Sequence, residues 1–171
     1  PQVTLFTAEE TARLETAHNS FLANMSTLSD LEYRKEMERL GVDLSWKSSQ
    51  IEGNTYSLLE TERLLKEKET AQGKTKEEAV MLLNHKDALD FILHCPDYLK
   101  EFSVRRLEDI HSILTKELGA GNGIRKRRVG ITGTNYRPLD NEFQIREALE
   151  DTCQLINGKD NVFEKALLAL V

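Results

Sequence analysis

A chain of 171 residues with a formal net charge of −6 is long enough for one domain with a buried core. Its acidity argues against a general nucleic-acid binder, and its two cysteines, Cys95 and Cys153, lack the spacing of a zinc site or a disulfide framework. No apolar run approaches the roughly 20 residues of a membrane helix, and no signal peptide is visible. We therefore expect a cytoplasmic protein with free thiols and with no membrane or nucleic-acid partner; homo-oligomerisation is left open.

Helical patterns dominate the chain. The pairs Thr7/Glu10, Ser57/Glu60 and Thr75/Glu78 have the spacing of capping boxes, in which a hydroxyl residue is followed three positions later by a glutamate. The helix after Thr75 is expected to run to about His94, before Pro96. Further helical stretches are predicted from Asp30 to near Gly53, with a kink or break at Gly41, after Ser103 as far as Leu118, from Ile145 to Ile156, and from Val162 onward.

The second helical stretch is predicted to end on an acidic side chain, Glu52. A negative charge there faces the negative end of the helix dipole, at a cost of roughly 0.3–1 kcal/mol. Gly53 supplies the left-handed residue that commonly closes a helix, and Ser48 lies on the same face as Glu52, one turn earlier. This position suggests a cationic partner for Glu52. From spacing alone, a solvated side chain before a turn is the favoured alternative.

Residues 129–136 depart from the helical pattern and are predicted to form a short hairpin. Two strands alone are marginally stable in water, so we expect this hairpin to pack against helices or against a partner. Residues 125–128, which are all basic, come directly before it. Arg125 and Arg128 are candidates for steering phosphate or an acidic segment, while a solvated loop or a set of ion pairs is an equally good explanation.

Residues that could bind a metal or carry out catalysis are not apparent. None of the four histidines has a metal-binding neighbour at the required spacing, so we expect them to be structural or solvated. The glycine-rich residues 119–123 lack the Lys-Ser/Thr pair of a phosphate-binding Walker loop. The histidines are His18, His85, His94 and His111.

Four segments, taken in order, resemble the Fic (Fic/Doc) family. Residues 48–54, Ser-Ser-Gln-Ile-Glu-Gly-Asn, resemble the inhibitory-helix signature Ser/Thr-x-x-x-Glu-Gly/Asn of the subgroup that carries this helix on its N-terminal side. Residues 78–89 are similar to the Glu…Asn…Ala-Leu helix of the family, and residues 110–114 to its Ile/Leu-His-x-x-Leu helix. Residues 123–138 resemble its flap segment. Four signatures in order are far more specific than any one of them, and they override the solvated alternative for Glu52.

The resemblance implies an all-α fold, namely a Fic-type helical bundle with one short β-hairpin, the flap, at residues 129–136. Residues 1–57 would hold the N-terminal helices with the inhibitory helix, and residues 58–171 the front part of the Fic core. The catalytic signature of the family, His-Pro-Phe-x-Asp/Glu-Gly-Asn-Gly-Arg, is absent from the sequence. We therefore expect a chain that stops in mid-helix before that motif and that is inactive by itself.

Family members typically transfer AMP from ATP, with Mg²⁺, to a hydroxyl side chain of a target protein. The resemblance thus implies a regulated protein adenylyltransferase, whose full-length form binds ATP and Mg²⁺ while this chain alone binds neither. Glu52 would pair with an arginine of the absent motif that ATP otherwise needs at its γ-phosphate. Ser48, Gly53 and Asn54 would hold the helix end in place, and no catalytic or metal-binding residue is expected in this chain.

The flap would bind a segment of the target protein as an additional strand. The alternative is a helical inhibitor module that offers the Glu52 helix in trans to a separate Fic-type enzyme. The flap resemblance weighs against this alternative, because an inhibitor has no use for a target clamp. The predicted target-binding residues are Val129, Gly130, Ile131, Thr132 and Gly133.

Overall fold

A computed structural model of the protein describes residues 4–121, 123–130 and 132–170. Within these ranges the chain is all-α, as expected, with seven α-helices, one short 3-10 helix and no strand. No helix in this part of the chain has both the length and the hydrophobicity needed to cross a membrane. The α-helices are α1 (Ala8–Ser26), α2 (Asp30–Ile51), α3 (Leu58–Glu67), α4 (Lys76–His94), α5 (Val104–Leu114), α6 (Glu142–Asn157) and α7 (Val162–Leu170), and the 3-10 helix is Pro96–Leu99.

Capping boxes explain why the first four helices begin where they do. In each box a Ser or Thr side chain accepts a hydrogen bond from the backbone N–H three residues on, and a glutamate at that position accepts from the N–H of the cap. The structure confirms the three predicted boxes and adds a fourth, formed by Ser29 and Glu32. Ser103 caps α5, as predicted, and Asn141 caps α6.

Helix α4 lies at the centre of the fold and contacts α2, α3 and α5. Helix α2 runs without interruption through Gly41, where the sequence allowed a kink or break. Gly41 is buried, and a Cβ atom placed there would lie 3.4 Å from Cε of Lys86 on α4. The glycine therefore lets α2 lie close against α4, and this packing keeps the helix continuous.

A small apolar cluster fills the space between α3, α4 and the segment that follows α2. Tyr56 and Leu82 are essentially inaccessible to solvent, and Leu64 and Ala79 are buried beside them. At the other end of the chain, α6 packs on α5 and α7, with Cys153 and Ile156 buried. The core thus lies directly beneath the turn that closes α2.

Helix α5 ends earlier than its apolar spacing suggested. The predicted stretch reached Leu118, but the helix stops at Leu114. The side-chain amide of Asn84 on α4 donates hydrogen bonds to the carbonyls of Leu114 and Lys116, at 3.1 and 2.7 Å. Glu117 then adopts a left-handed conformation with φ of 60°. A tertiary hydrogen bond and a left-handed residue therefore end this helix before the apolar pattern does.

The predicted hairpin at residues 129–136 is wrong for the residues that the structure describes there, none of which lies in a strand; Ile131 is outside the described residues. Thr132 and Gly133 form a turn, with Gly133 at φ of 82°. The side chains of Val129 and Tyr136 are 51% and 64% exposed. Neither of these two side chains is therefore buried against the helices, and two strands without such support are marginal in water.

Candidate functional site

The end of α2 is closed by a Schellman motif. The N–H of Asn54 donates to the carbonyl of Ser49, and the N–H of Gly53 donates to the carbonyl of Gln50, both at 3.0 Å. Gly53 has a φ of 89°, so it is the left-handed stop that the sequence predicted. Glu52 is the C-cap residue of the helix. Its backbone is therefore fixed at the negative end of the helix dipole.

The carboxylate of Glu52 faces solvent. Across residues 4–121, 123–130 and 132–170, its side chain has no hydrogen-bond or ion-pair partner. Ile51 beside it is 85% exposed, so the tip of α2 presents an acidic and an apolar side chain together. Ser48 is half-buried one turn earlier. The backbone carbonyl of Ser49, which sequence reasoning did not single out, is the acceptor that holds the helix end.

Asn54 joins this helix end to α4. Its side chain is only 6% exposed. Its amide nitrogen donates to the backbone carbonyl of Glu78 at 2.8 Å, and its amide oxygen accepts from the N–H of Tyr56 at 3.0 Å. Both polar ends of a buried amide are thus satisfied, which fixes the path of the chain after Gly53.

The side chain of Glu78 makes a second connection between the same two segments. One carboxylate oxygen, Oε1, accepts from the N–H and the hydroxyl of Thr55, at 2.8 and 2.6 Å. The other oxygen, Oε2, accepts from the N–H and the hydroxyl of Thr75, at 2.9 and 3.2 Å. These donors, first the Thr55 hydroxyl and then the backbone N–H groups of Thr75 and Thr55, lower the pKa of Glu78 to about 2.

Two further side chains hold the turn from other directions. Nζ of Lys74 donates to the carbonyl and to the hydroxyl oxygen of Thr55, at 2.6 and 3.0 Å. The indole N–H of Trp46 donates to the carbonyl of Tyr56 at 2.9 Å. The segment at residues 52–56, which we call the Glu52 turn, is therefore held by α2, by α4 and by the loop before α4.

The basic residues occupy a different kind of surface. Arg125 lines a cavity of about 600 Å³ together with His111, residues 126 and 127 and the glycines of the preceding connection. Arg128 does not line this cavity, and its Nε lies 2.9 Å from a carboxylate oxygen of Asp140. Lys126 lies 3.6 Å from a carboxylate oxygen of Glu142. The two residues predicted to steer phosphate are therefore placed differently: Arg125 faces the cavity, and Arg128 is ion-paired.

Besides His111, which lines the cavity, three histidines have described contacts. Nδ1 of His85 lies 2.9 Å from the carbonyl of Met81, and Nδ1 of His94 lies 2.7 Å from the carbonyl of Asp90. The ring of His18 contacts that of Phe163 edge to face on α7. Within the described part of the chain, no group of three or more His, Cys, Asp or Glu side chains is arranged to hold a metal ion.

No family model matches this chain, and no curated protein matches its sequence. The arrangement itself is therefore the basis for assigning a function. It consists of the exposed carboxylate of Glu52, which has no partner among the described residues, on a hydrogen-bonded helix end, and of an exposed basic segment whose first residues line a cavity.

Proposed function

We propose that this chain is the regulatory and target-binding part of a Fic-type protein adenylyltransferase, in which Glu52 inhibits AMP transfer. One observation carries the proposal: the backbone of Glu52 is held by the Schellman motif and by Asn54, whereas its carboxylate has no partner within the described residues. Such an acid at a helix C-terminus is unfavourable by roughly 0.3–1 kcal/mol. A cation supplied from outside these residues would remove that cost.

In this proposal the cation is an arginine of the His-Pro-Phe-x-Asp/Glu-Gly-Asn-Gly-Arg motif, which this sequence does not contain. A guanidinium and a carboxylate form two parallel charge-assisted hydrogen bonds, which are among the stronger polar contacts in proteins. While Glu52 holds the arginine, the γ-phosphate of ATP lacks it. Release of the arginine would allow the triphosphate to settle with its α-phosphate open to in-line attack by the acceptor hydroxyl.

The catalytic groups would also belong to that motif. Its histidine would act as general base for the hydroxyl, and its acidic residue would hold Mg²⁺ beside the triphosphate. The described part of this chain offers no cluster of acidic or histidine side chains for a metal ion. What this chain contributes is the inhibitory carboxylate, the scaffold behind it and a surface for the target.

The target surface would be the segment around residues 129–136. Its described residues take part in no ladder of backbone hydrogen bonds, and Val129 and Tyr136 are more than half exposed. An extended target segment could pair with this backbone as a β-strand. Such pairing would fix the position of an acceptor hydroxyl relative to the catalytic groups. Because backbone pairing tolerates varied side chains, we expect more than one sequence to be accepted.

The test is Glu52→Gln in the full-length protein, with transfer of labelled AMP from ATP as the measurement. Loss of a charge-assisted pair should raise labelling by about tenfold or more. The matched control is Glu67→Gln, since Glu67 is an exposed acid at the last residue of α3. Equal labelling of wild type, Glu52→Gln and Glu67→Gln would contradict the proposal.

The exposure of Glu52 and Ile51 also favours a second candidate function. A helix tip that is open to solvent is accessible to a separate molecule, as a trans-acting inhibitor would require. Sequencing the coding region past Val171 separates the two. A continuation into His-Pro-Phe supports the enzyme, whereas a stop codon supports the inhibitor.

A further inference from the structure

The four capping boxes in the described part of the chain have the same chemistry, but one of them does more than cap a helix. In the boxes of Glu10, Glu32 and Glu60, a single carboxylate oxygen accepts both hydrogen bonds from the cap residue. The second oxygen of each accepts no hydrogen bond within the described residues. Glu78 uses both oxygens, and its second oxygen receives the N–H and the hydroxyl of Thr55.

We infer that Glu78 is a positioning residue that, through Thr55, holds the Glu52 turn against α4. By limiting local opening of this turn, it would keep the inhibitory carboxylate of Glu52 in place. The inference deepens the proposed function and rests on it. A glutamate that only capped α4 would need one oxygen, as Glu32 does for α2. The oxygen directed at Thr55 is therefore the feature that capping leaves unexplained.

The bond pattern requires a carboxylate at this position. Four donors, two from Thr55 and two from Thr75, are shared between two acceptor oxygens. A glutamine has only one acceptor oxygen on its side chain, so it could serve the turn or the cap but not both. Lys74 holds Thr55 from another direction, because its Nζ donates to the carbonyl and hydroxyl oxygens of Thr55. Thr55 thus lies between a carboxylate and an ammonium group, three residues after Glu52.

The first arm of the test measures amide hydrogen exchange at residues 54–56 in the full-length protein. Thr55→Val removes a hydroxyl donor from the turn, and Thr75→Val removes one only from the cap of α4. Glu78→Ala removes the acceptors of both, and Glu32→Ala is the matched control, because it removes a capping box at the far end of α2.

Loss of hydrogen bonds to a charged group should speed local opening of the Glu52 turn by about tenfold in Glu78→Ala, with a smaller change in Thr55→Val. Thr75→Val and Glu32→Ala should leave exchange at residues 54–56 within about twofold of wild type. Unchanged exchange in both Glu78→Ala and Thr55→Val would overturn the positioning role. Thr55→Val keeps this test valid even if Glu78→Ala does not fold.

The second arm measures transfer of labelled AMP by the same full-length variants. We expect Glu78→Ala and Thr55→Val to raise labelling, each by less than Glu52→Gln does, and Thr75→Val and Glu32→Ala to leave it unchanged. If Glu52→Gln raises labelling while Glu78→Ala and Thr55→Val do not, Glu78 has no part in regulation. If no variant transfers AMP, Glu52→Gln included, then the proposed function itself fails, even where exchange shows that Glu78 holds the turn.

Discussion

The Glu52 turn and the segment at residues 123–140 are both connections between helices, and they are built in opposite ways. In the first, Asn54 is buried and Thr55 is bonded on two sides. In the second, every described residue from 126 to 137 is exposed, and the segment carries surface ion pairs. The difference shows that a connection is held against the fold when its backbone donors reach acceptors on a neighbouring helix.

Charge alone does not hold a connection against the fold. The basic segment has more charged side chains than the Glu52 turn, but its ion pairs lie in solvent, where such pairs contribute about 0–1 kcal/mol. The Glu52 turn is held instead by hydrogen bonds from neighbouring elements, among them two from Thr55 to the Glu78 carboxylate and one from the buried Asn54 amide to the Glu78 carbonyl. In the proposed function, the firmly held turn would present the inhibitory acid, and the exposed segment would bind varied targets.

The largest expected difference between the two regions concerns packing. Leu82 is fully buried beneath the Glu52 turn. Leu82→Ala should lower the unfolding free energy by about 2–5 kcal/mol, because the substitution leaves a cavity. Val129→Ala in the open segment should change it by less than about 0.5 kcal/mol. Urea denaturation followed by circular dichroism measures both. Similar losses of unfolding free energy in Leu82→Ala and Val129→Ala would contradict the difference in packing between the two regions.

A matched pair of asparagines tests the hydrogen bonds. Asn54→Ala removes a buried amide that bonds Glu78 and Tyr56, so it should lower the unfolding free energy by about 1–3 kcal/mol. Asn135→Ala, at an exposed position of the open segment, should stay within about 0.5 kcal/mol of wild type. An Asn54→Ala variant as stable as wild type would show that the turn does not depend on its amide.

Acid titration tests the carboxylate of Glu78. Its folded pKa of about 2 lies below the ordinary value of 4.5, so its contribution is present above pH 4.5 and is lost as the pH falls towards 2. The stability advantage of wild type over Glu78→Gln should therefore shrink across that window. Urea unfolding at several pH values measures this difference. The matched control is Glu77→Gln, since Glu77 is an exposed acid in the same first turn of α4. Parallel curves for wild type and Glu78→Gln would contradict the assignment.

The smallest effect is expected in the open segment. Arg128 and Asp140 form an ion pair, but the Arg128 side chain is largely exposed and that of Asp140 is about half exposed. Arg128→Gln should change the unfolding free energy by less than about 1 kcal/mol, and added salt should reduce even that difference. A larger loss that persists at high salt would mean that this segment is held as firmly as the Glu52 turn.

Most of the fold could be read from local patterns. Helix starts depend on hydrogen bonds between residues three positions apart, so the boxes of Thr7, Ser57 and Thr75 were predictable. Gly53 was predictable for a similar reason, since a left-handed residue closes a helix locally. The lack of a strand among the described residues of 129–136 was not predictable, because whether two strands form depends on apolar surface that other elements must supply.

The sequence by itself therefore determined the all-α class, the starts of the helices and the position of Glu52 at a helix end, because each depends on neighbours within one helical turn. Only the tertiary structure decided that α2 continues through Gly41, that Asn84 ends α5 and that the second oxygen of Glu78 reaches Thr55. Each of these joins residues more than 20 positions apart. Such contacts form when helices pack, and no local pattern encodes them.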